Sequence, residues 1–129
     1  MIMASKGKIL VIDDEPEITE IIQAFLVNAG YTVKIENSSV AGLESAKGFK
    51  PDLILLDIMM PFMDGYEVCA KLKHDPQTAN TPVLFLTGKD AKDDAGMSFK
   101  AGGDLFIKKP FSCERLLNMV KVVMMSVTK

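Results

Sequence analysis

Short unbroken apolar runs, each followed by a segment with helical spacing, restrict the possible folds of this chain more than any other feature. A run without polar alternation suits a strand buried on both faces, as in a parallel sheet. Leu53–Leu56 is the clearest case. Pro51 precedes it, and Met60-Pro61 and Asp64-Gly65 break and turn the chain after it. Ile9–Ile12, Tyr31–Ile35, Pro82–Leu86 and Leu105–Lys108 read as further strands. Between the first two, Ile18, Ile21, Ile22, Phe25, Leu26 and Ala29 recur at helical intervals behind Pro16, with Gly30 as the stop. Ser38 or Ser39 caps a second helix reaching about Lys47 and closed by Gly48. Gly65–His74 forms a third, with Val68 and Leu72 turned inward. Asp90–Gly102 predicts a weaker fourth, since Gly96 lies in its interior, and Ser112 caps a last helix.

This alternation of strands and helices predicts a (βα)5 unit with right-handed crossovers. Five units cannot close an eight-stranded barrel, so the expected fold is an open, doubly wound α/β sandwich of the flavodoxin-like kind, strand order 2-1-3-4-5. With 129 residues and no repeat or linker, residues 1–129 read as one domain.

Bulk properties exclude several classes of function. Net charge is −2, and no basic stripe is present, which argues against nucleic-acid binding. No apolar run approaches the ~20 residues that cross a membrane. The opening MIMASKGK lacks the ~7–15-residue apolar region of a signal peptide. Cys69 and Cys113 are isolated, which fits a reducing cytoplasm. The nine methionines read mainly as adaptable core filler.

In open parallel sheets, ligands sit beyond the carboxyl ends of the strands. There the first strand supplies Asp13 and Asp14, the third Asp57, the fourth Thr87 and the fifth Lys109. Clustered carboxylates repel and need a counter-charge. An all-oxygen set with room for water suits Mg2+, with Mn2+ as a substitute. A carboxylate nucleophile, a hard dication, a hydroxyl and an ammonium make a site for phosphoryl transfer. Competing motifs are absent. The acidic loop after the first strand holds no G-x-G-x-x-G, and the chain has neither G-x-x-x-x-G-K-[ST] nor G-x-S-x-G.

The chain resembles the receiver domain of two-component response regulators over nearly its whole length. The resemblance rests on Ile9–Pro16 (ILVIDDEP), Pro51–Gly65 (PDLILLDIMMPFMDG), Pro82–Gly88 (PVLFLTG) and Ala101–Phe111 (AGGDLFIKKPF). It implies that Asp57 accepts a phosphoryl group from a phosphohistidine on a sensor histidine kinase or histidine phosphotransfer protein. It also implies Mg2+ held by Asp14, Asp57 and the Met59 carbonyl, with Asp13 acting through a water. Thr87 and Lys109 would hold phosphoryl oxygens, Phe106 would be the switch aromatic, and the Lys109–Pro110 peptide would be cis. Because side chains alternate along a strand, only one of Lys108 and Lys109 can reach the acidic rim, and Lys109 precedes the proline as in the family. Gly88 and Gly103 depart slightly, standing where the family commonly has Ala. Met59 and Lys89 flank the pocket mouth, where their side chains could tune water access. His74 reads as a solvated helix end.

The expected function is a phosphorylation-activated switch whose only chemistry is on itself. A phosphorylation-independent binding scaffold is the alternative, and the complete set of acids, Thr and Lys argues against it. A phosphatase acting on other substrates would need D-x-D, but Met59 stands at the second position. In the last helix, Cys113, Leu116, Leu117, Val120, Val123 and Met124 make a core stripe, while Met119, Val122 and Met125 fall on another face. That face predicts a homodimer or output-protein surface formed with the last strand and the penultimate helix. The 129 residues leave no room for a DNA-binding or enzymatic output domain, so the expectation is a stand-alone receiver or part of a larger regulator or hybrid kinase.

Overall fold

A computed structural model describes residues 4–88 and 105–127. The predicted helix Asp90–Gly102, Lys89 and Gly103 lie outside the described residues. The elements are β1 (Lys8–Ile12), α1 (Pro16–Asn28), β2 (Thr32–Glu36), α2 (Ser39–Phe49), β3 (Leu53–Asp57), α3 (Gly65–His74), β4 (Val83–Thr87), β5 (Leu105–Lys108) and α4 (Cys113–Val127). All strand pairs are parallel, and the five-stranded sheet has the order β2-β1-β3-β4-β5. The flavodoxin-like α/β sandwich is therefore as expected.

Alternation along the strands builds two cores. Ile9, Val11, Leu53, Leu55, Leu84, Leu86 and Ile107 pack with Ile22 and Leu26 of α1 and with Leu116 and Val120 of α4. Leu10, Ile12, Ile54, Leu56, Val83 and Phe85 face the opposite way, onto Ala46 of α2 and Val68, Cys69 and Leu72 of α3. The central strands β3 and β4 are buried at every position. That accounts for their unbroken apolar runs, and a Leu→Ala change there costs about 2–5 kcal/mol.

Some boundaries differ from the sequence reading. β2 begins at Thr32 and continues through Glu36, because Ile12 pairs with Glu36. β3 and β4 each run one residue further, placing Asp57 and Thr87 inside the ladder, with Asp57 opposite Leu86 and Thr87 opposite Lys108. The second helix does not close at Gly48. It continues to Phe49, and Lys50 takes the left-handed turn at φ 53°. Phe49 packs against the α2–α3 core, and the Lys8 ammonium donates to its carbonyl at 3.2 Å, so tertiary contacts carry the helix past the glycine. Gly30 does supply the predicted stop after α1, at φ 107°. In α4, Met119 packs partly against the α1–α4 core, leaving Val122 and Met125 as the exposed pair.

A candidate phosphoryl-transfer site

The carboxyl ends of β1, β3, β4 and β5 form one rim, which is where the site assembles. Asp57, the last residue of β3, is 3 % exposed, and Asp13, directly after β1, is fully buried. The loop after β1 is tied down locally. The Asp13 amide donates to the Glu36 carbonyl at 3.1 Å, the Glu15 amide to Asp13 Oδ1 at 3.0 Å, and Asn37 Nδ2 to the Asp13 carbonyl at 2.8 Å and to Thr19 Oγ1 at 3.0 Å. The Lys109–Pro110 peptide is cis. The Lys109 amide donates to the Thr87 carbonyl at 2.7 Å, extending the β4–β5 pairing by one residue. Lys109, rather than the exposed Lys108, reaches the acidic rim.

Lys109 Nζ donates to Asp13 Oδ2 at 2.8 Å, to Asp57 Oδ1 at 3.3 Å and to Glu15 Oε1 at 3.4 Å. One ammonium thus lies among several carboxylates. Burial pushes the Asp57 carboxyl up to about 7, Asp13 adds to the rise, and Lys109 opposes it. For Lys109 itself, burial works downward, but the hydrogen bond to Asp13 and the charges of Asp57 and Asp13 outweigh it, so its pKa lies above the ordinary lysine value. The site is short of positive charge.

Asp13, Asp14, Glu15 and Asp57 each offer a carboxylate oxygen, and these atoms all lie within 4.8 Å of one another. Hard oxygen donors, crowding of negative charge and the raised Asp57 pKa together fit a dication such as Mg2+. Thr87 is fully buried at the end of β4, with its hydroxyl 3.5 Å from the Ile107 carbonyl, at the long limit of a hydrogen bond. Phe106 stands opposite Phe85 on the adjoining strand and packs, half-buried, against the α2–α3 core. Met59 lies on the rim and is 74 % exposed.

The turn that opens the pocket is made by the residues after Asp57. Phe62 adopts φ 69°, a left-handed conformation rare for a bulky side chain. Asp64 caps α3, its Oδ1 accepting from the Glu67 amide at 3.0 Å. A Cβ on Gly65 would sit 2.3 Å from the Asp57 carbonyl oxygen, so only glycine lets α3 start this close to the backbone at the end of β3. Sequence reasoning missed two residues of the site, Glu15 and Asn37. Glu15 sits beside Asp13-Asp14, but adjacency in a loop does not reveal which acids turn inward. Asn37 before Ser38 carries only the signature of an ordinary turn residue.

The response regulator receiver domain family matches residues 9–121. The chain is 38 % identical over 117 residues to the DNA-binding dual master transcriptional regulator RpaA of Synechocystis sp., covering 91 % of this chain and 48 % of that protein. It spans about half the length of several of the curated relatives it matches. Among solved structures, the signal receiver domain of a signal transduction histidine kinase from Syntrophus aciditrophicus superposes with a TM-score of 0.87 at 32 % identity, covering 95 % of this chain and 93 % of that one. Vibrio cholerae chemotaxis protein CheY4 gives a TM-score of 0.85 at 30 % identity, covering 95 % and 99 %.

Proposed function

The chain belongs to the response-regulator receiver family, the phosphoacceptor switches of two-component signalling, and from that premise we propose that Asp57 is its phosphoacceptor. A carboxylate oxygen of Asp57 attacks the phosphorus of a phosphohistidine, carried by a sensor histidine kinase or a histidine phosphotransfer protein. The P–N bond breaks, the imidazole nitrogen keeps the electron pair, and an acyl phosphate remains on Asp57. The observation that carries this reading is the placement of Lys109 Nζ, 2.8 Å from Asp13 and 3.3 Å from Asp57. An ammonium so placed can follow charge as it develops on the phosphoryl oxygens. Thr87, on the neighbouring strand end, is the hydroxyl that closes on the same oxygens.

Asp14, Asp57 and the Met59 carbonyl would hold Mg2+ or Mn2+, with Asp13 acting through water. Bound there, the dication supplies the positive charge that neutralises nucleophile and phosphoryl oxygens during transfer. With the Asp57 pKa at about 7, only part of the nucleophile is ionised at neutral pH until added positive charge pulls that value down. The chemistry is confined to the protein itself: uptake of the phosphoryl group and its later hydrolysis. Output passes through β5, α4 and the segment between β4 and β5, which the sequence reads as a helix, with Phe106 as the residue that changes packing, to a partner protein or a second copy of the chain. No helix among the described residues is long and apolar enough to cross a membrane. We place the reaction in the cytoplasm, where sensor-kinase domains and a reducing environment coincide.

Acetyl phosphate with Mg2+, followed by intact-mass measurement, tests the assignment. A phosphoryl adduct on the wild type and none on Asp57→Asn is the expected result. Absence of an adduct with this donor and with phosphorylated kinase would leave only a binding scaffold.

A further inference from the structure

Lys109 has three ammonium protons, and three carboxylates share them. Asp13 at 2.8 Å, Asp57 at 3.3 Å and Glu15 at 3.4 Å account for every donor. To donate to an arriving phosphoryl oxygen, Lys109 must therefore release an acceptor. The three differ in how easily they let go. Asp13 is fully buried and makes the shortest contact, so losing the ammonium leaves its buried charge with the Glu15 amide as its remaining described side-chain partner. Asp57 is the group being modified, and its share of the ammonium passes naturally to the new oxygens. Glu15 has a side chain 59 % exposed and rehydrates as soon as it is released. It is the acceptor that exchanges.

Resting on the reading of Asp57 as acceptor, we infer that Glu15 is a positioning residue that latches Lys109 in the resting site and slows phosphoryl uptake. While Glu15 holds the ammonium, one proton points away from the place the phosphoryl group enters. Its negative charge also lies beside the path of an anionic donor. Glu17, in the first turn of α1, provides an internal control. It carries the same charge a short distance along the chain and is exposed, and the described contacts of Lys109 do not include it.

The test uses acetyl phosphate at saturating Mg2+, so that a change in cation affinity does not set the rate. Glu15→Gln should raise the phosphorylation rate about two- to fivefold, the range an exposed ion pair allows. Glu17→Gln should leave it unchanged. The ammonium resonance of Lys109, followed by 15N–1H NMR, should shift in Glu15→Gln and stay in place in Glu17→Gln. Equal acceleration by both substitutions would assign the effect to local charge and overturn the latch, as would an unchanged rate or an unmoved Lys109 signal in Glu15→Gln. A wild type that takes up no phosphoryl group would instead remove the acceptor reading, and the latch with it.

Discussion

Asp57 shows how a functional site works against the fold that holds it. Burial, with Asp13 beside it, pushes its carboxyl from the ordinary 3.8 up to about 7 in the folded chain. A raised folded-state value means that stability is full below the lower number and is lost as pH climbs through the upper one. Metal-free protein should therefore lose stability between about pH 4 and pH 7 through this residue. Asp57→Asn should remove that slope and be the more stable protein at about pH 8, by on the order of 1–2 kcal/mol once solvent access at the mouth and the lost Lys109 contact are allowed for. Urea unfolding in the presence of a chelator, at several pH values, measures both effects. Parallel curves for the two proteins would show that burial does not strain this carboxylate. Saturating Mg2+ should flatten the wild-type slope, because a bound dication favours the ionised form.

The β3–α3 connection carries the prediction that belongs to elements. Gly65 sits where α3 begins, and a Cβ there would lie 2.3 Å from the Asp57 carbonyl oxygen and 2.8 Å from Ile58 Cα. Backbone atoms cannot step aside as a flexible side chain can, so Gly65→Ala must push α3 away from the strand end. We expect a loss of about 1–3 kcal/mol in stability, with phosphorylation slowed because the turn aiming Asp57 has moved. Thermal melts and the acetyl phosphate assay measure these; wild-type values in both would show that the helix start is slack. The elements themselves were legible because each uses one simple period. Unbroken apolar runs marked β3 and β4, and Pro16 and Gly30 bracketed α1. Their ends were less so, since ladder pairing decides them: Asp57 joins β3 because Leu86 stands opposite, a fact held by another segment. Gly48 misled for the same reason, as Phe49 packing and the Lys8 cap outweigh a local stop signal. Five side chains, Asp13, Asp14, Asp57, Thr87 and Lys109, could be read from strand ends alone, while Glu15 required knowing how a loop folds back.

At the scale of the whole molecule, β5 joins the chemistry to a surface. Lys109 follows its last residue, while Leu105 and Phe106 open it, roughly 10–13 Å away at about 3.3 Å per residue. Leu105 and the α4 residues Met119 and Val122 line a shallow apolar groove edged by Arg115 and Asn118. Beside it, Val122 is 63 % and Met125 73 % exposed on a helix whose other face is core. On the proposed reading, a phosphoryl group on Asp57 would draw on Lys109 and so pull at one end of an edge strand whose other end borders this groove. A partner can report that event only if it binds the two states with different affinity. Introducing Val122→Lys and Met125→Lys together places two ammonium groups on the apolar surface without touching the strand-end site. Sedimentation with beryllofluoride as phosphoryl mimic should show self-association weakened about tenfold or more, while acetyl phosphate labels Asp57 at the wild-type rate. Wild-type association in the double variant would move the output surface elsewhere. A slowed labelling rate would mean that α4 and the site are coupled even in the resting protein, and that the face helps set the resting position of Lys109 as well as reporting its movement.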